Sequence, residues 1–254
     1  MRGIQTADFA FLNSVVPKTA KVSIPSPSLL HFRGGRDAID RMAYPEVEAF
    51  FEDLGPIYND EVIALADLGC RYLQVDDTNF ALLCDPIIRE SVRRRGDDPD
   101  RLIGIYARLI NACIAGRPPD MAVCVHMCRG NYRSAWAAEG GYEPIAEMLF
   151  AELAIDGFFM EYDDHRSGDF APLRFLPRGK TAVLGLVTSK TPELEPKDAL
   201  KRRIEEAARY APLDQLALSP QCGFASSVDG NELSIAEQVA KLRLVVETAA
   251  EVWG

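Results

Sequence analysis

The segment Ala122-Val123-Cys124-Val125-His126-Met127-Cys128 is short, apolar and β-branched at Val123 and Val125. A run this compact suits a strand buried on both faces, as strands in parallel sheets are. The strand is expected over Ala122–His126, and it runs out into a histidine and a cysteine two residues apart. The same pattern recurs in both directions along the chain. Upstream lie Lys21–Ile24 and Tyr72–Asp76; downstream lie Gly157–Glu161, Ala182–Val187 and Leu216–Leu218.

Segments with helical periodicity fill the intervals. Pro45 to Leu68 carries Val47, Phe50, Phe51, Leu54, Ile57, Val62, Leu65 and Leu68 on roughly one face, and Gly69 can close it in a left-handed cap. Asp98-Pro99 opens a second helix, with the aspartate as N-cap and proline in the first turn. Pro196 precedes a third, Lys197 to Tyr210. Ser234-Ile235-Ala236-Glu237 reads as a capping box for a last helix with Val239, Leu242, Val245 and Val246 inward. The Ser91-Val92-Arg93-Arg94-Arg95 run, diluted by Asp97, Asp98 and Asp100, reads as a solvated loop.

Strand and helix in alternation imply βα units around a parallel sheet. Six strands could complete a doubly wound sheet, whereas a (β/α)8 barrel needs two more. No GxGxxG or GxxxxGK[ST] follows any strand, so nucleotide-binding doubly wound folds lose support.

Composition narrows the functional classes. The 254 residues are 48% hydrophobic and 26% charged, as in a globular protein with a sizeable core. A net charge of −10 disfavours nucleic acid as a partner. No run of about 18 apolar residues suggests a membrane span, and MRGIQTADFAF lacks the features of a secretory signal. The six cysteines are irregularly spaced, which points to reduced thiols in a cytoplasmic protein.

Polar residues able to bind metal or substrate gather at the carboxyl ends of the strands, where parallel α/β sheets collect ligands. They are Gln74-Val75-Asp76-Asp77, His126-Met127-Cys128, Glu161 and Ser219-Pro220-Gln221-Cys222-Gly223. His126 and Cys128 project to one side of an extended segment. With Glu161 and Cys222 they offer one nitrogen, two sulfurs and an oxygen, a set suited to Zn²⁺. Each residue also has a plain alternative. Cys222 and His126 could be core residues, Glu161 could pair with Arg166 or Arg174, and Asp76 and Asp77 could be loop carboxylates or helix caps. Cys70, Cys84, Cys113 and Cys124 read as core or loop residues, and His165 as an exposed loop histidine; Lys190 could face the site or solvent. No GxSxG supports a serine nucleophile. Two thiolates make a zinc ion electron-rich, which favours alkyl transfer to a bound thiol over hydrolysis.

Taken in order, Leu73-Gln74-Val75-Asp76, His126-Met127-Cys128, Glu161 and Pro220-x-Cys222-Gly223 resemble the catalytic domain of cobalamin-independent methionine synthase. The resemblance spans the chain from about Val22 onward. It implies a (β/α)8 barrel, zinc held by His126, Cys128, Glu161 and Cys222, and transfer of a methyl group to homocysteine. Asp76 would bind the amino group of that substrate. The family's early Gly-Ser-Phe-Pro strand end and early glutamate have no counterpart here. Residues 1–254 are therefore expected to form a single barrel domain that begins inside the barrel, one or two βα units short. The family also carries a histidine after the fifth segment, and Leu184 to Lys190 has none.

The resemblance extends to epoxyalkane:coenzyme M transferase through Glu161-Tyr162-Asp163-Asp164. The alternatives to methyl transfer are thus the opening of an epoxide by coenzyme M and an inactive barrel that retains its zinc. A uroporphyrinogen-type decarboxylase shares the barrel but needs no zinc cluster. The expected partners are a small-molecule thiol and a methyl or alkyl donor, with no nucleic acid and no membrane. An exposed sheet edge would invite association, so a homo-oligomer is within expectation.

Overall fold

The structure, a computed structural model, describes residues 3–254. Helix α1 spans Thr6–Val15, strand β1 Val22–Pro25, the short helix α2 Leu29–Phe32 and α3 Val47–Asp67. Strand β2 (Tyr72–Asp76) leads into α4 (Asn79–Leu82), α5 (Pro86–Arg94) and α6 (Pro99–Cys113). There follow β3 (Ala122–Met127), α7 (Glu143–Glu152), β4 (Gly157–Glu161), β5 (Thr181–Val187), α8 (Lys197–Ala207), β6 (Leu216–Pro220) and α9 (Ile235–Trp253). All six expected strands are present, with ends shifted by two residues or fewer.

Strand order separates the two fold classes left open by the sequence. The strands lie side by side as β1-β2-β3-β4-β5-β6, each parallel to the next. A doubly wound sheet reverses direction at a switch point. A sheet that always advances the same way, with right-handed crossovers, keeps its helices on one side, as barrels do. In keeping with this, α3 packs on α6, α6 on α7 and α8 on α9, forming an outer row.

Register then sets which side chains share the inner face. Asp76 aligns with His126, His126 with Phe159 and Phe159 with Val183. One level below, Ser23 aligns with Gln74 and Gln74 with Cys124. The core between sheet and helices is apolar, built on Leu73, Val75, Val123, Val125, Phe158, Met160 and Leu184 from the strands. Tyr106, Ile110 and Leu149 meet them from the helices.

Local chemistry fixes the helix ends. Asp98 accepts the Asp100 and Arg101 amides, and Asp85 caps α5 the same way through Ile87 and Ile88. The Ser234 capping box is complete, and Gly69 takes φ +91° just after α3.

Three expectations need correction. The arginine run lies mostly within α5, and Arg95 beyond it pairs with Asp97 at 2.7 Å, so this is no loop. Of the residues expected on the buried face of α3, Ile57 and, just past the helix end, Leu68 are exposed, whereas Leu54, Gly55, Val62, Leu65 and Ala66 are the buried ones. In α9, Val239, Leu242 and Val246 point outward, Val246 with 68% of its surface exposed. The buried side of α9 carries Lys241, Leu244 and Thr248. Lys241 can be inside because its ammonium reaches both Glu195 carboxylate oxygens, at 3.1 and 3.2 Å, and the Glu193 carbonyl. A charge thus turned the helix away from its apolar stripe.

Gly185 on β5 lets the end of β6 approach. A Cβ there would lie 2.9 Å from both Gln221 Cα and the Met160 carbonyl oxygen. Gly185→Ala is expected to destabilise the fold by about 1–3 kcal/mol through overpacking. Urea unfolding checks this; an unchanged midpoint would show that the β6 end yields freely.

Candidate metal and substrate site

β3 ends where its alternation turns His126 to the inner face, and Cys128 follows one step beyond on the same side. β6 ends at Pro220, after which the chain bends and delivers Cys222. The two sulfurs come within 3.8 Å of each other. The ligating atoms of His126, Cys128 and Cys222 all lie within 4.8 Å of one another. Tetrahedral zinc with Zn–S bonds of about 2.3 Å would set its two sulfurs about 3.8 Å apart. His126 Nε2 is buried and has no hydrogen-bond partner among the described residues. A buried imidazole nitrogen without a partner beside two sulfurs fits a cation better than packing does.

The three side chains perturb one another's protonation. The Cys128 thiol donates toward Cys222, holding the Cys222 thiol far below its usual range, with His126 adding to the effect. The same pairing, reinforced by burial, raises Cys128. Burial opposes a charge on His126, yet the Cys222 side chain, Asp76 and Glu161 leave its pKa raised. Ser226 Oγ lies 3.2 Å from Cys222 Sγ, and the Gln221 amide reaches Cys128 Sγ at 3.7 Å.

Glu161 stands outside this trio. Its Oε2 accepts the Arg129 backbone N–H at 2.6 Å, and its Oε1 accepts Lys190 Nζ at 3.0 Å. Arg166 lies 3.4 Å away, so the pairing considered from sequence is present. Arg129 is fully buried, donating to the Gly140 carbonyl and the Tyr142 hydroxyl and stacking on the Tyr142 ring. Lys190, ambiguous from sequence, faces inward and also meets Asp163 at 3.1 Å. Asn131 ties three loops together, through Ser189 and Ser226 and the Gly223 carbonyl. No spacing rule exposed Arg129 or Asn131, because each acts on loops distant in sequence.

Asp76 and Asp77 part company. Asp77 is buried and accepts the Asn79 and Phe80 amides and the Ser28 hydroxyl, a structural cap. Asp76 faces a pocket of about 750 Å³ together with His126, Cys128 and Cys222. Burial raises its pKa, against a 2.5 Å hydrogen bond from Gln74. His165 is exposed, and Cys70, Cys84, Cys113 and Cys124 are buried free thiols away from the trio.

Residues 31–251 match the family model described as the cobalamin-independent synthase catalytic domain. The protein YxjH of Bacillus subtilis is 49% identical over 248 residues, covering 97% of this chain and 65% of the relative. A methionine synthase of Pyrococcus abyssi is 26% identical over 71% of this chain and 45% of its own length. Among solved structures, one from Listeria monocytogenes described as a vitamin-B12 independent methionine synthase superposes with a TM-score of 0.80. It is 40% identical, and the match covers 100% of this chain and 71% of that one. A B12-independent methionine synthase of Shewanella sp. W3-18-1 shares the fold, with a TM-score of 0.73 at 19% identity, covering 99% of this chain and 67% of that one. The chain belongs to the cobalamin-independent methionine synthase family, and its six parallel strands correspond to the barrel of that family's catalytic domain. It spans 65% of the length of its Bacillus relatives. No helix among the described residues is long and apolar enough to cross a membrane.

Lys190→Met would leave Glu161 and Asp163 buried with one cation fewer. The expected cost is about 3–5 kcal/mol of stability, read from urea unfolding of the metal-free protein. A loss below about 1 kcal/mol would mean that Arg129 and Arg166 suffice alone.

Proposed function

We propose that this chain is the barrel of a zinc-dependent S-methyltransferase that moves a methyl group onto a thiol such as homocysteine. The observation that carries the reading is the trio His126, Cys128 and Cys222, with its 3.8 Å sulfur pair and unpartnered imidazole nitrogen. Those three would hold the ion, and Glu161 would be its carboxylate donor. Glu161 enters through the family resemblance; it is not among the three groups within 4.8 Å of one another, and its oxygens accept the Arg129 N–H and Lys190 Nζ. When bound, zinc keeps a substrate thiol deprotonated at neutral pH, while two protein thiolates leave that sulfur nucleophilic.

The chain's own residues do the remaining work. Asp76, aligned with His126 on the pocket wall, accepts the substrate ammonium. Lys190 and Arg166 hold the Glu161 carboxylate in place. Gln221 and Ser226 orient the two protein sulfurs. The choice of homocysteine draws on family membership and on the Herpetosiphon aurantiacus 5-methyltetrahydropteroyltriglutamate–homocysteine methyltransferase, 22% identical over 98% of this chain and 29% of its own length. Six free cysteines suit a reducing compartment such as the cytoplasm.

A second reading, thiol addition to an epoxide, is favoured by one observation. The loop after β5 presents Lys190 to Glu161 and Asp163, where the family's methionine synthases are expected to carry a histidine.

Metal analysis of the purified protein is expected to give about one zinc per chain, and Cys222→Ser to lose it while keeping the far-UV circular dichroism. Zinc affinity should fall as pH drops below neutrality, because protons on Cys128 and His126 compete with the ion. Methionine formation from homocysteine and a methyl donor, set against coenzyme M with a short epoxide, separates the two readings. A folded wild type that binds no zinc under any of these conditions sinks both.

A further inference from the structure

Lys190 bridges two acids. Its Nζ donates to Glu161 Oε1 at 3.0 Å and to Asp163 Oδ2 at 3.1 Å, and all three side chains are buried. The neighbouring cations are committed elsewhere. Arg129 places its guanidinium on the Gly140 carbonyl and the Tyr142 hydroxyl, and Arg166 pairs with Asp164 at 2.6 Å. The backbone around Lys190 is fastened too. The Lys190 N–H donates to Thr188 Oγ1, and the Ser189 hydroxyl donates to Gln221 Oε1. An ammonium on a flexible four-carbon stem can therefore shift between its two acceptors while the loop stays in place. Asp163 has capacity to receive it, since its Oδ1 has no hydrogen-bond partner among the described residues.

The charges of this cluster cancel before any metal arrives. Glu161, Asp163 and Asp164 face Arg129, Arg166 and Lys190. Moving Glu161 onto an ion then means breaking a charge-assisted hydrogen bond from Lys190. Yet Glu161 stands at the level where an ion would sit. Phe159 aligns with His126, and Glu161 and Cys128 each lie two residues further on, on the same inner side. Glu161 is thus drawn two ways, toward Lys190 and toward His126, Cys128 and Cys222. Those three would leave one of the four usual zinc positions unfilled.

We propose that Lys190 is a positioning residue that competes with the metal ion for Glu161. With the ammonium on Glu161, the fourth position is open to an incoming ligand; with the ammonium moved onto Asp163, the carboxylate is free to close it. This deepens the reading of His126, Cys128 and Cys222 as a zinc site and rests on it.

The test is zinc affinity at neutral pH, measured by competition with a chromophoric chelator. Lys190→Met is expected to bind zinc about 10- to 100-fold more tightly than wild type, the range of one charge-assisted hydrogen bond. A lysine that merely supported the fold would give the opposite sign, because a loosened site binds more weakly. Lys190→Arg keeps the cation and should stay near wild type. In a Glu161→Gln background, Lys190→Met should alter zinc affinity by less than about threefold, since the two residues act as one coupled pair. Simple repulsion between the ammonium and the ion would give the same tightening with or without the carboxylate, and that result overturns the proposal. Lys190→Gln, which removes the charge but keeps a donor for both acids, carries the same prediction should Lys190→Met fail to fold. Unchanged or weaker zinc binding in the folded variant also overturns it, while leaving the zinc site itself standing. A wild type that binds no zinc removes the site reading, and the role of Lys190 with it.

Discussion

A carboxylate without access to water must be neutralised by what surrounds it, and the neutralisation of Glu161 organises this end of the molecule. Its two oxygens draw the Arg129 backbone from the β3 loop, Lys190 from the β5 loop and Arg166 from the segment after β4. Arg129 in turn spends its guanidinium on Gly140 and Tyr142, pinning the loop that leads to α7. Cys128 is bonded directly to Arg129, so the place of one sulfur follows from the place of this charge. Asn131 and Gln221 extend the same framework to the β6 loop and to Cys222. A site assembled from three loops is held by hydrogen bonds among buried polar groups rather than by apolar packing.

That framework is possible because the sheet is parallel and advances in one direction. Every carboxyl end then lies on the same edge, and a period of two places alternate residues on the inner face. Asp76, His126 and Phe159 share a level through ladder register alone. The close approach of β6 over Gly185, and the shift in pairing between Gly185 and Val187, bring Gln221 against Val187 and carry Cys222 inward. Two sulfurs separated by 94 positions meet as a result.

The pocket is charged on both sides. Asp76 and the sulfur site contribute negative character, and Lys21 contributes a cation lodged between aromatic rings.

The sequence by itself determined the six strands, the caps at Asp98 and Ser234, and the left-handed stop at Gly69, since each depends on neighbouring residues. It also determined that His126 and Cys128 share a side, because alternation within one strand needs no partner. Tertiary structure decided the rest. Whether six strands wind one way or two depends on crossover direction, which local propensity does not encode. Whether α9 buries Val239 or Lys241 depended on Glu195, more than forty positions away, offering an ion pair. Glu161 read equally well as a ligand or as a partner for arginine, and the fold gave it Arg129 and Lys190 from other loops beside Arg166 from the segment that follows it. Local chemistry is written in runs of a few residues, whereas buried charge is balanced across the whole fold, and only the folded chain brings the balancing groups together.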